Sequence, residues 1–340
     1  MTILIAILVF GFLIFIHELG HYLTARMFDV GITEFALGMG PKILSRTSKK
    51  TGIVYSLRLL PIGGFVSMVG EDEESPDQRA LSNKPVWQRM IVVSAGAFMN
   101  VLVGVLTVFI IICSTENYSS NVIYDFNEGS TLQEYGLMQG DRVVKVGGQN
   151  VHIGRELSQA IMFEGAEPVD VTVIRDGKKI VLEDVVFGQV TESGMVFGKA
   201  DFIVYPEERN FVNIIKHTFY YSGSTVNVIW KSLLYLVTGK VGVEQMSGPI
   251  GVTSALGEAA KLGFTYLLDL IAMLALNLGV VNMLPLPALD GGRFIFMLYE
   301  LIFRKPVKRE IEGYIHFAGM CLLMLLMVIV GFNDIKNLFF

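Results

Sequence analysis

Two histidines four residues apart, His17 and His21, lie near the end of an otherwise apolar run from Ile3 to Ala25, with Glu18 beside the first. On a helix, residues i and i+4 share a face with Cβ atoms about 5–6 Å apart, so both imidazoles can aim at one point. That is the grip of a zinc site. Catalytic zinc keeps three nitrogen, oxygen or sulfur ligands from the protein and one position for water, whose pKa falls to about 7. Glu18 is then placed to take the water's proton. The His-Glu-Leu-Gly-His string is only moderately specific by itself, and its bland alternative is a polar cap on an apolar helix.

The setting sharpens the reading. An acidic residue at the centre of a membrane helix costs roughly 2.5–3.5 kcal/mol on insertion scales, while each Leu, Ile, Val or Phe returns about 0.3–0.6. The run Ile3–Ile16 is apolar enough to carry that cost. Ionisable groups at such depth point to function.

A third ligand has few candidates. His152 and His217 fall in or beside a polar stretch, and His316 lies inside the last apolar run, where a lone histidine is more often hydrogen-bonded than metal-bound. Asp290 is the better choice. It follows Pro285 and Pro287, which remove backbone donors and break a helix starting near Phe264, and Gly291 and Gly292 after it permit close approach. Irregular backbone at membrane depth survives only where protein or a wet cavity surrounds it. Alone, Leu289-Asp290-Gly291-Gly292 reads as an ordinary helix-ending turn; its depth matches that of His17–His21, and the pair reads as one site.

The 340 residues are 52% hydrophobic and 17% charged, with mean hydropathy +0.53. Soluble domains carry nearer 25% charge, so this is an integral membrane protein. The net charge of −5 and the lack of a basic cluster interleaved with aromatics exclude nucleic acid as a partner. Cys113 and Cys321 sit in apolar runs and imply no disulfide framework. The first apolar run has no basic residues before it and no cleavage site after it, so it reads as a retained helix rather than a signal peptide.

Further runs long enough to span a bilayer are Met90–Cys113, about 264–289 and about 313–332. Lys and Arg crowd the loop after the first run and the loop between the last two, which puts those loops in the cytoplasm and both termini outside. Phe211–Val237 is read as a pair of amphipathic helices on the membrane surface, because a span there would reverse the last basic loop. Residues 53–70 read as a β-hairpin around Pro61–Gly64. From about Glu116 to Glu208 the composition becomes that of a soluble domain, with strands at 143–146, 169–174 and 180–186 and a helix at 155–163. The expected divisions are 1–114, 115–208, 209–262 and 263–340. The fold expected is a membrane α-helical bundle of four transmembrane helices with a membrane-associated β-hairpin and an inserted small α/β domain.

Several strings together resemble a known family. They are His17–His21 running on to Arg26, Gly63–Met68, Gly136–Val151 with its likeness to the core of a PDZ domain, Ser247–Val252 and Asn282–Gly292. The chain resembles the bacterial site-2 proteases, the intramembrane zinc metalloproteases typified by RseP and RasP, over nearly its whole length. The resemblance implies one zinc ion held by His17, His21 and Asp290, with Glu18 as general base. It also implies that the hairpin residues Gly63, Gly64, Phe65 and Val66 enter the membrane and pair with an unwound substrate, and that Asn282, with Pro285 and Pro287, helps hold substrate near the metal. Substrates of such proteases are single-span membrane proteins, among them anti-sigma factors and signal-peptide remnants, cut after a first protease has trimmed them. The implied location is the bacterial cytoplasmic membrane, with the PDZ domain outside, acting mainly as a size filter and only secondarily as a peptide binder. Ala97 stands where the family usually has proline. The competing classes are a PDZ-bearing membrane scaffold, which would not need Glu18 beside two histidines, and a zinc carrier, which would need a polar path across the bundle, where the outer halves of the spans offer little beyond Asn100 and Asp269.

Overall fold

The computed structural model describes residues 1–71, 75–192, 195–239, 241–242, 244 and 246–339. They form two compact units, Met1–Thr107 with Val228–Phe340, and Val108–Asn227. Four helices among the described residues are long and apolar enough to cross a membrane: Thr2–Met27 (α1), Val86–Ser114 (α2), Phe264–Asn282 (α6) and Glu310–Lys336 within α8, Arg309–Phe339. Their apolar side chains are largely uncovered by protein. Only 11% of the α8 window is buried, and Leu322, Leu325 and Val328 stand exposed, as a lipid-facing helix requires.

In the first unit, small residues set the helix contacts. A Cβ at Gly20 of α1 would lie 2.3 Å from the Ala95 carbonyl oxygen of α2, and one at Gly279 of α6 would lie 2.9 Å from Ala97 O. Close backbone approach of this kind is how membrane helices associate when burial of apolar surface gives no advantage. Ala6, Val9 and Leu13 of α1 pack with Leu256 of α5 (Pro249–Leu262) and Ala275 of α6. The start of α5 is anchored by Asp334 of α8, whose carboxylate accepts the backbone N–H groups of Gly248, Ile250 and Gly251 at 2.9–3.0 Å. That contact accounts for the string at Ser247–Val252, since side chains at Gly248 or Gly251 would crowd the carboxylate.

The sheet after α1 differs from the expected hairpin. Strands β1 (Ile32–Thr47) and β2 (Val54–Met68) each bend and contribute two segments. Residues 32–37 pair antiparallel with 64–68 (Ile32 with Met68, Leu37 with Gly64), and their other edge runs alongside 54–57 in the same direction (Glu34 with Val54, Leu37 with Leu57). Residues 42–47 then pair antiparallel with 54–58. The two halves of 53–70 therefore flank Ile32–Leu37 instead of pairing with each other. Gly38 and Gly40, both at positive φ, let β1 turn back. The central place goes to the segment carrying the buried pair Phe35 and Ala36, where unpaired peptide groups would be most costly. Glu34 ties three segments together, accepting from Ser56 Oγ (2.6 Å), Arg58 Nη2 (2.9 Å) and Lys42 Nζ (2.9 Å).

In the unit Val108–Asn227, one sheet has the order β10-β3-β4-β6-β7, from Phe202–Glu208, Asn117–Phe126, Arg142–Val146, Val169–Arg175 and Lys178–Val185; β5, Gln149–Asn150, pairs with β4. Its core, including Ile123, Leu137, Val143, Val146, Val171 and Val173, is closed by Leu157 and Ile161 of α3 (Gly154–Glu164). The Gly140-Asp141 step precedes β4. Asp141 is fully buried and receives a two-pronged contact from Arg175, Nε to Oδ1 and Nη2 to Oδ2, both 2.7 Å, plus Met138 N–H at 2.9 Å. That hydrogen bonding holds the Arg175 guanidinium above its usual pKa. Between β10, the end strand of the sheet, and α3 lies a cavity of about 480 Å³, lined in part by Phe202, Val204, Leu157 and Ser158. Phe211–Val237 (α4) is one continuous helix instead of the expected pair. The Ser-Gly-Ser stretch at 222–224 does not interrupt it, and the hydroxyls of Thr218, Ser224 and Thr225 hydrogen-bond back to carbonyls one turn earlier.

Candidate metal centre

His17 and His21 occupy one face of the second half of α1, as their spacing requires. Asp290 reaches them from a break in the chain. α6 stops at Asn282, the stretch 283–289 carries Pro285 and Pro287, and α7 (Asp290–Phe303) begins with Asp290 itself. The turn is tight: side chains at Gly291 and Gly292 would collide with the carbonyls of Leu284 and Leu286, and Ala288 takes a positive φ of 73°. His17 Nε2 lies 3.2 Å and His21 Nε2 3.5 Å from Asp290 Oδ2, and the two imidazole nitrogens are 3.3 Å apart. One atom from each residue falls within 4.8 Å of the others, a grouping able to hold a metal ion.

The donor set fits zinc. Asp290 Oδ2 is buried yet has no hydrogen-bond partner of good geometry, an expense that a cation would relieve. His21 donates Nδ1–H to Val92 O at 2.8 Å, which leaves Nε2 with a bare lone pair directed at the group. Two nitrogens and a carboxylate oxygen are the kind of set a catalytic zinc uses. Glu18 is buried beside them, and a Cβ at Gly64 would lie 2.9 Å from Glu18 Cγ. The 64–68 segment thus brings its backbone against Glu18.

With this geometry in view, the comparisons decide the family. Peptidase family M50 matches residues 5–326. The chain belongs to that family, and it is a zinc metalloprotease. A candidate zinc metalloprotease of Clostridium acetobutylicum is 36% identical over 339 residues, covering 98% of this chain and 97% of that one. The zinc metalloprotease RasP of Geobacillus kaustophilus is 32% identical, covering 99% and 98%. A Bacillus subtilis protein named regulator of sigma-W protease RasP is 30% identical, covering 99% of both. Alignments to the two RasP proteins run over 423 positions, so those relatives carry inserted segments that this chain lacks.

Asn282, the last residue of α6, has its amide nitrogen 3.4 Å from His17 Nδ1. Pro285 and Pro287 shape the turn before Asp290, and Pro287 packs so closely on Gly319 of α8 that a Cβ there would lie 2.3 Å away. His316, the fallback ligand, accepts Ala288 N–H at 2.9 Å and supports that turn; the metal-binding group does not include it. Gly63 takes a positive φ of 74° at the β2 corner, while Gly64, Phe65 and Val66 lie on the segment that pairs with Leu37, Ala36 and Phe35. Nearby, Arg293 of α7 donates to Glu71, linking the end of β2 to the first turn after Asp290.

One face of α2 escaped the sequence reading. Val92, Gly96 and Asn100 recur every four residues and all touch the imidazoles: Val92 through its carbonyl, Gly96 by lacking a Cβ that would stand 2.3 Å from His21 Nε2, and Asn100 through its amide 3.2 Å from His17 Nδ1. The signal available was that spacing within an apolar run, with a glycine and an asparagine on one stripe.

Proposed function

We propose that this protease cuts single-span membrane proteins within the bilayer, as the second cleavage after another protease has trimmed them. The observation that carries the reading is the meeting of His17, His21 and Asp290 next to Glu18, which in turn touches the strand 64–68. In this reading His17, His21 and Asp290 are the ligands of one zinc ion. When bound, zinc supplies Lewis acidity that polarises a peptide carbonyl and lowers the pKa of a water. Glu18 accepts that water's proton and delivers it to the leaving amine nitrogen, the work of a general base turned general acid.

A helical substrate hides its carbonyls in its own hydrogen bonds, so it must be extended first. Strand addition does this. Residues 54–57 are paired along both edges, while 64–68 is paired only with 32–37 among the described residues. Gly64 through Val66 are therefore the better place for substrate to add, and in this reading Asn282, Pro285 and Pro287 help hold it near the metal. We read 115–208 as a PDZ-type domain outside the cell, with both chain termini on the same side. The terminal position of β10 and the cavity between it and α3 support peptide capture by strand addition, and a size-filtering role for the domain is compatible with both. Anti-sigma factors and signal-peptide remnants are the substrate classes to try first.

The test uses purified full-length protein in detergent or liposomes with single-span substrates, trimmed and untrimmed. Cleavage should require zinc, and Glu18→Gln should reduce it by roughly 10²–10⁴-fold while zinc content stays at the wild-type level. Undiminished cleavage by that variant would remove Glu18 from the mechanism, and zinc-independent behaviour with no cleavage of any substrate would favour the scaffold reading.

A further inference from the structure

Asn100 is fully buried in α2, and its Oδ1 has no hydrogen-bond partner. Its Nδ2 lies 3.2 Å from His17 Nδ1, and Asn282 Nδ2 lies 3.4 Å from the same ring nitrogen. Two amide donors thus face one acceptor. With Nδ1 as acceptor, the imidazole proton must sit on Nε2, the nitrogen 3.2 Å from Asp290 Oδ2. A protonated nitrogen has no lone pair to give a metal. A half-turn of the Asn100 amide exchanges its oxygen for its nitrogen: the buried oxygen gains a donor and the His17 proton moves to Nδ1, provided the Asn282 amide, 3.4 Å from that nitrogen, turns its N–H groups away as well.

We propose that Asn100 is a positioning residue of the metal centre, its side-chain oxygen accepting His17 Nδ1–H and so fixing the tautomer whose Nε2 binds zinc. The proposal rests on the reading of His17 as a ligand. The neighbouring histidine shows the same design in place. Val92 O accepts His21 Nδ1–H at 2.8 Å, from a position eight residues earlier on the same face of α2. Gly96, midway between, leaves room for both rings. One helix face therefore supplies both acceptors, a backbone carbonyl for His21 and a side chain for His17. Asn100 is the better acceptor of the two asparagines because it is closer, wholly buried and has the unpaired oxygen. Asn282, partly exposed at the end of α6, keeps its amide for substrate.

Metal affinity reads this directly, apart from any activity. Full-length protein in detergent is titrated with zinc against a chelator of known affinity, with melting of the metal-free protein as a check on folding. Asn100→Leu should bind zinc about 10–100-fold more weakly, as loss of a partner behind a ligating histidine does elsewhere. Asn100→Asp, which keeps an acceptor oxygen in place, should restore affinity, and Asn282→Leu should bind zinc like wild type while cleaving more slowly. If Asn100→Leu melts poorly without metal, Asn100→Ser, which loses the reach but not the space, carries the same expectation. Wild-type zinc affinity in the Leu or Ser variant, alongside loss of zinc in His17→Ala, would overturn the role of Asn100 and leave the ligand reading intact. Wild-type affinity in His17→Ala would overturn the ligand reading itself, and with it the proposal.

Discussion

Asp141 in the Val108–Asn227 unit is fully buried and Asp290 in the other unit is partly exposed with its Oδ2 buried, yet their buried oxygens are treated in opposite ways. Each Asp141 oxygen accepts a charged hydrogen bond from Arg175, and one of them also takes Met138 N–H. Asp290 Oδ2 faces two imidazole nitrogens and has no well-formed hydrogen bond. A buried carboxylate whose bonds are complete contributes to folding; one left incomplete is costly to the fold, and its cost is offset only when something else arrives. The difference separates a structural acid from a functional one without reference to either sequence motif. Asp334 belongs with Asp141, since three backbone N–H groups satisfy it.

The sharpest break in that comparison is Asp290→Ala. It should abolish cleavage and tightly held zinc, because two histidines alone leave the ion under-coordinated, while the metal-free protein melts no lower than wild type. One equivalent of zinc remaining after dialysis would place the third ligand elsewhere. Asp141→Ala should do the reverse. Removing one partner of a buried ion pair costs about 3–5 kcal/mol, and the partial exposure of Arg175 puts the expectation near the lower end. Denaturant unfolding of the full chain would show that loss, with zinc content unchanged; a fall in zinc content would mean the two acids are not independent.

A smaller effect sharpens the contrast through pH. Burial opposes ionisation of Glu34, but hydrogen bonds from Ser56, Lys42 and Arg58 outweigh it and bring its pKa down to about 2 from 4.5. A carboxylate with a depressed folded-state pKa adds stability that is complete above the unfolded value and fades as pH falls toward the folded one. The melting temperature of Glu34→Gln should therefore lie below wild type at pH 6, and the gap should narrow from about pH 4.5 downward and close near pH 2. A gap of equal size at pH 6 and pH 3 would mean that shape, not charge, makes Glu34 useful to the sheet.

Much of this architecture was legible in the chain because its signals are local. The four apolar helices follow from run length, the break between α6 and α7 from Pro285 and Pro287, and strands β4, β6 and β7 from short β-branched runs bounded by turns. The i, i+4 spacing of His17 and His21 already required a shared helical face. Strand β1 gave no such signal: Gly38, Gly40 and Pro41 interrupt it and its second half is basic, so it reads as a loop until both halves of β2 are present to pair with it. Tertiary structure alone decided that, among the described residues, 54–57 is paired along both edges while 64–68, beside Glu18, pairs only with 32–37, because an edge exists only once its neighbours are known. It also decided that one stripe of α2 lies behind both imidazoles, whereas the pairing of Asp290 with residues more than 250 positions earlier is already expected from matching depth and motif. A sequence records which side of a helix a residue occupies, but the helix that side will face is set by packing between segments, which no local pattern encodes.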